Sequence, residues 1–205
     1  FLGKDVQRID DVALVTGSVE FIDNISLPEM LHCAMKYSSV AHARILRVDT
    51  SRAEQLPGVV AIITGDDVRR LTTRSGGFPE GTGSYCMAGD KVHYVGEPVA
   101  AVAAVSRHVA EDAVELIDVE FEPLAPAVNT LEAMQPGSPL VIDELASNVV
   151  LQRQFVWGPV AAAFAQADHV FKERFRWNRM GANPMETFGC ICQWDTLSGG
   201  LTIRG

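Results

Sequence analysis

The stretch that most constrains the fold is VVAIIT, residues 59–64, a near-continuous apolar run rich in β-branched side chains. Six residues of this kind read as a strand buried in a sheet, because β-branched side chains suit a pleated, covered surface. Its neighbours carry strand signals too. In LHCAMKY, 31–37, Leu31, Cys33, Met35 and Tyr37 fall on one face, with His32, Ala34 and Lys36 on the other. RILRVD, 44–49, HYVGEPVAAVAAV, 93–105, and DVEFEPL, 118–124, read the same way.

Helix signals stand between these strands. Ser51 and Glu54 have capping-box spacing, and Pro57-Gly58 ends that helix. Ser106 opens a second helix, along which Val109, Ala110, Ala113, Val114 and Ile117 form an apolar stripe. Strand, helix and strand thus occur in order twice, which predicts two βαβ units in one packed α/β or α+β domain. Residues 1–30 read as an irregular arm. The Gly-rich excursion 65–91 reads as a loop with Phe78, Tyr85 and Met87 as its large apolar side chains. Arg69, Arg70 and Arg74 read as its solvated decoration.

Residues 125–157 hold Pro126, Pro136, Gly137 and Pro139 with little periodicity, and read as a boundary. A short helix over 158–168 follows, with Pro159 in its first turn. HVFKERFRW, 169–177, alternates, and FGCICQWD and GLTIRG flank the turn TLSGG. This last part reads as strands of a second sheet, too few to bury a core alone and in need of a partner surface.

Composition narrows the function. The net charge is −9, and no basic face is visible, which excludes a phosphate-tracking, nucleic-acid-binding role. The run Pro98–Val105 is far shorter than the roughly 18 residues of a membrane span. Four cysteines in 205 residues are too sparse for a disulfide scaffold and read as reduced thiols of a cytoplasmic protein. Cys190 and Cys192 share one strand face. A C-x-C pair falls short of the three or four ligands of a zinc or iron–sulfur site, so core packing is expected.

Single residues offer little chemistry. His42, in a turn between strands, reads as a hydrogen-bonded structural histidine. Glu186 reads as an acid anchoring a backbone turn or an arginine, since an unpaired buried carboxylate is costly. Glu97 is expected at a bend entering the 98–105 run. No HExxH, GxGxxG, GK[ST] or GxSxG pattern occurs. No self-sufficient active site is written here.

Taken in order, the motifs nevertheless resemble one family. The stretches RIDDVALVTGSVEFIDNISLPEMLHCAMKYSSVAHARI, VDTSRAEQLPGVVAIITGDDV, KVHYVGEPVAAVAAVSRHVAEDAVELIDVEFEPLAPAV and AFAQADHVFKERFRWNRMGANPMETFGCICQWD carry the likeness. Together they resemble the N-terminal portion of the molybdopterin-binding large subunit of the xanthine dehydrogenase/aldehyde oxidase family, which includes the aerobic carbon monoxide dehydrogenase-type proteins. The resemblance implies an α+β fold, with an N-terminal arm over 1–16 and an α/β hammerhead domain over 17–128. It further implies a linker over 129–144 and the first strands of a molybdopterin-binding domain over 145–205.

It also implies an oxidoreductase that oxidises a heterocycle, an aldehyde or carbon monoxide at a molybdenum–pterin cofactor, with water as the oxygen source. Electrons would pass through 2Fe-2S clusters to FAD in partner chains or domains. The expected partners are the remainder of the molybdopterin-binding subunit, the iron–sulfur and FAD subunits, and a small-molecule substrate, in a dimer of heterotrimers or similar. No catalytic, metal or cofactor residue is carried over to this chain. By location only, Phe78, Pro79 and Tyr85 are expected to border the substrate channel. The readings from other classes are an independent α/β binding module without cofactor, and a thiol metal protein resting on Cys190 and Cys192.

Overall fold

The computed structural model describes residues 2–77, 81–178, 181, 183–184 and 186–205. In chain order the elements are α1 (Asp11–Thr16), β1 (His32–Tyr37), β2 (Ala43–Asp49), α2 (Ser51–Glu54), β3 (Val59–Thr64), α3 (Gly65–Leu71), β4 (Lys91–Val92) and β5 (Pro98–Ala104). They continue with α4 (Arg107–Glu115), β6 (Asp118–Pro123), α5 (Thr130–Ala133), α6 (Val160–Gln166), β7 (Ile191–Asp195) and β8 (Gly200–Arg204). The chain divides into two compact units, one of Glu29–Val160 and one of Phe1–Pro28 with Ala161–Gly205.

The Glu29–Val160 unit holds two three-stranded sheets, ordered β1-β5-β3 and β4-β2-β6. Every strand pair in them is antiparallel. The expected βαβ units are therefore absent: β2 and β3, flanking α2, lie in different sheets, and so do β5 and β6, flanking α4. Element order alone does not name a strand's neighbour. Here β5 sits between β1 and β3 and runs against both.

This placement buries β5 on both faces. Ala34 of β1 and Ile62 of β3 stand opposite Val102, and Val102 packs with Ala113, Val114 and Ile117 at the α4 side. Met35 and Ile63 stand opposite Ala101, which packs with Val68 of α3 and Met87. Alternate β5 residues thus serve two cores, and their small size lets a helix approach. The α4 stripe is as expected, with Ala110, Ala113, Val114 and Ile117 buried, and Ser106 accepts the Val109 N–H at 3.3 Å as its cap.

Several local expectations change. The capping box is not at Ser51 and Glu54: Ser51 donates to Asp49 at 2.7 Å, and Glu54 accepts from Thr50 at 2.6 Å. The box stands instead at Thr64 and Asp67, opening α3 inside the stretch expected to be all loop. The Thr64 N–H, then its hydroxyl, holds the Asp67 carboxyl below its usual range. Residues 93–97 form a turn rather than strand, with Gly96 at φ +90°, so β5 begins at Pro98. Glu97 lies at that bend as expected and is buried.

In the other unit, α1 lies within the arm expected to be irregular and ends on Gly17 in the left-handed region at φ +69°. The hairpin β7–β8 forms as the alternation predicts, with Cys192 opposite Ile203 and Trp194 opposite Leu201. Residues 169–177 form no strand: their alternation finds no pairing edge among the described residues, and Phe171, Phe175 and Trp177 stand exposed. Cys190 and Cys192 are also exposed, which corrects the expectation of core packing. Desolvation, then the adjacent Cys190 thiol, raises the Cys192 thiol above its ordinary value. Glu186 does anchor a turn: its Oε1 accepts the Ile22 N–H at 3.0 Å, at the start of a 3₁₀ turn over Ile22–Asn24.

Gly65 shows how closely α3 is docked. A Cβ built there would meet the Ala88 carbonyl oxygen at 1.9 Å, a backbone overlap. We expect Gly65→Ala to destabilise the protein by about 1–3 kcal/mol or more. Gly76→Ala, in open space, should stay within about 0.5 kcal/mol. Denaturant unfolding of the two variants measures the difference.

Candidate functional site

A cleft of about 290 Å³ lies within the Glu29–Val160 unit. It is built from the last turn of α3, Arg74 just beyond that helix, the 82–91 segment, the 93–98 turn and residues Val141–Glu144. The fold brings them together because β5, at the centre of its sheet, fixes both the turn that precedes it and, through Ala101, the Val68–Met87 cluster.

Tyr85 stands on that cluster and forms one wall. The guanidinium carbons of Arg69 and Arg74 lie 5.9 and 5.8 Å from its ring centroid, within cation–π range. These arginines are therefore not free loop decoration. Arg69 also pairs with Asp90 at 3.3 Å, and Arg74 with Glu144 at 3.2 Å. Tyr85 is the one expected channel residue that can be located; Phe78 and Pro79 lie outside the described residues.

Residues Val141–Glu144 lie across the cleft as a strap. Lys91, only 12% exposed, donates to Asp143 at 2.6 Å. That bond, chiefly, holds the Asp143 carboxyl below its usual range. Glu144 is lowered too, first by its own backbone N–H and then by Arg74. Asn148 fixes the following chain, accepting the Val141 N–H at 2.9 Å and donating to Pro139 and Ala133 carbonyls at 2.8 and 3.1 Å. The segment expected to be a boundary thus carries α5 and supplies a wall of the cleft.

The third wall is polar. Glu97 is 8% exposed and accepts from both the His93 backbone N–H and its Nδ1, the latter at 3.1 Å. His42 is buried beside them, its ring 6.4 Å from that of His93. Its Nδ1 donates to the Ala125 carbonyl at 2.8 Å, the hydrogen-bonded structural role expected for it, while Nε2 is buried with no partner among the described residues. Burial, then the Glu97 charge, raises the Tyr94 hydroxyl above its ordinary value.

Sequence reasoning found Tyr85 and Glu97 but not their grouping with Arg69, Arg74, Lys91, His93 and the 143–144 pair. The one available signal was Asp143-Glu144, adjacent acids beyond a proline-rich stretch, which the long-range pairing to Lys91 and Arg74 explains. Among the described residues, no three or more His, Cys, Asp or Glu side chains gather as a metal site.

Comparison with known proteins places this geometry in context. Residues 16–125 match the family described as aldehyde oxidase and xanthine dehydrogenase, a/b hammerhead domain. Residues 141–205 match the molybdopterin cofactor-binding domain. The chain is 33% identical to the carbon monoxide dehydrogenase large chain of Afipia carboxidovorans, over 100% of this chain and 27% of that one. It is 35% identical to the nicotine 6-hydroxylase large subunit of Paenarthrobacter nicotinovorans, over 95% of this chain and 24% of the relative. The crystal structure of quinoline 2-oxidoreductase from Pseudomonas putida 86 superposes with a TM-score of 0.84 and 38% identity, covering 98% of this chain and 26% of that one. The chain therefore spans about a quarter of the length of these relatives.

The strap yields a signed pH dependence. A lowered carboxyl stabilises the closed strap above its unfolded pKa, near 4, and that stabilisation is lost as pH falls through the lowered value. We expect Lys91→Met to speed amide exchange over 141–145 by about threefold or more at pH 7, since a paired carboxylate loses its partner. The difference from the unsubstituted protein should shrink as pH falls below the ordinary carboxylate range and the paired carboxyl protonates.

Proposed function

Since the chain belongs to the aldehyde oxidase and xanthine dehydrogenase family, we infer that it supplies the N-terminal scaffold of a molybdenum-dependent oxidoreductase. The observation that carries this reading is the succession of a hammerhead match over 16–125 and a molybdopterin-domain match over 141–205 in one chain. The division read from the sequence fits that succession: an arm over 1–16, the hammerhead over 17–128, a connection over 129–144 and the start of the cofactor domain over 145–205. The fold itself is α+β, a hammerhead domain followed by the start of a molybdopterin-binding domain.

The assembled enzyme would oxidise a heterocycle, an aldehyde or carbon monoxide, taking oxygen from water. Its molybdenum–pterin cofactor would pass electrons through 2Fe-2S clusters to FAD in partner chains or domains. The remainder of the large subunit and the iron–sulfur and FAD subunits would complete a hetero-oligomer in the cytoplasm. No helix among the described residues is long and apolar enough to cross a membrane.

The described residues do not form a fitting cradle for the cofactor. Residues 169–177 are irregular and exposed, and β8 is exposed along its length. We therefore route no step of the reaction through a side chain among the described residues. Its contribution is to build a rigid domain and to bound the path of the substrate, with Tyr85, and by location Phe78 and Pro79, beside that path.

Elemental and flavin analysis of the protein purified with its copurifying chains tests the reading. Molybdenum, iron and flavin present together with this chain are the expected result. A well-folded monomer free of all three would instead favour an independent binding module.

A further inference from the structure

Four carboxylates line the cleft, and three of them face a full-time cation: Asp90 faces Arg69, Asp143 faces Lys91 and Glu144 faces Arg74. Glu97 does not. It is the most buried of the four, and its charged-group partner among the described residues is His93 alone. A histidine brings a positive charge only when both ring nitrogens are protonated, unlike arginine or lysine. A carboxylate 8% exposed without a cation is costly.

A purely structural role does not account for this. The 93–97 turn is already tied by backbone hydrogen bonds from Glu97 N–H to Tyr94, from Gly96 N–H to Ser38 and from Ser38 N–H to Glu97. A neutral Gln or Asn at position 97 could cap the His93 N–H as well, with no charge to bury. What the acid adds is negative charge at the end of a cleft that also has two aromatic walls, Tyr85 and Tyr94. His93 lines the cleft, and its Nε2 accepts no protein hydrogen bond among the described residues while Nδ1 is committed to Glu97. Carboxylate and imidazole thus stand together as a fixed pair of acceptors.

We propose that the Glu97–His93 end of this cleft is a binding site for a small planar cation carrying N–H donors, an amidinium or a protonated N-heterocycle. The cation neutralises Glu97, donates to the carboxylate and to His93 Nε2, and lies against Tyr94, where a cation is favoured, while Tyr85 keeps Arg69 and Arg74 over its ring. The cleft of about 290 Å³ suits a one- or two-ring ligand. The site stands without the molybdenum reading, because every residue in it belongs to this chain.

Calorimetric titration of the protein, in whatever assembly it is isolated, with benzamidine, benzamide and benzoate tests it. These probes share a shape and differ in charge. Saturable binding of benzamidine is expected, at least about tenfold tighter than benzamide, with none for benzoate, as a charge-assisted contact requires. Glu97→Gln should weaken benzamidine by about tenfold or more while circular dichroism stays unchanged. Equal affinity for benzamidine and benzamide, no saturable benzamidine binding, or a folded Glu97→Gln variant with unaltered affinity would each overturn the proposal. The probe series on the unsubstituted protein decides the matter even if Glu97→Gln fails to fold.

Discussion

The packing of β5 on both faces is the constraint from which the rest of the Glu29–Val160 unit follows. Val99, Ala100, Ala101 and Val102 are each at most 4% exposed, so every one of them has a neighbour above or below. Residues on one side engage α4, and Ala101 on the other engages α3 and Met87. Burial of apolar area supplies the driving force, roughly 25 cal/mol for each Å². The antiparallel neighbours β1 and β3 satisfy the strand's backbone groups on both edges. Because β5 is fixed, the turn before it and the chain packed on Ala101 are fixed too, and these carry Glu97, His93 and Tyr85 into one cleft.

Much of this was legible in the sequence, for physical reasons that also mark the limits. The period-two pattern of 31–37 and the apolar run of 59–64 located β1 and β3, because a side chain's face follows from its position in the strand. Yet β3 is an edge strand with Val60 and Ile63 exposed, not the buried strand expected. The stripe from Val109 to Ile117 and the cap Ser106 located α4 for the same local reason. Partnership was not legible. Strand order depends on which edge closes first on which, and a strand–helix–strand order suits a parallel unit as well as the crossing between two antiparallel sheets found here. Similarly, α3 was hidden because its box uses Asp67, where a Glu or Gln is the usual signal.

The second unit shows a different limit. Alternation in 169–177 is a statement about a strand only if an edge receives it, and this segment pairs with no strand among the described residues. Cys192 lies in β7 and Cys190 just before it, and both are exposed. The long-range ion pairs Lys91–Asp143 and Arg74–Glu144 were invisible for a related reason: they join residues 52 and 70 positions apart, and charge patterning reads only near neighbours. The family likeness, spread over the whole chain, recovered the architecture that local patterns left open.

The role proposed for this chain is to shape the approach to the chemistry. Substitution of Tyr85 by Ala in the assembled enzyme tests that claim most directly, with kcat/KM for a bulky and a small substrate and molybdenum content measured on the same preparation. The account predicts that the ratio of the two kcat/KM values shifts by about threefold or more, as lost packing at a substrate path does, with molybdenum content unchanged. Loss of molybdenum with an unaltered ratio would contradict it.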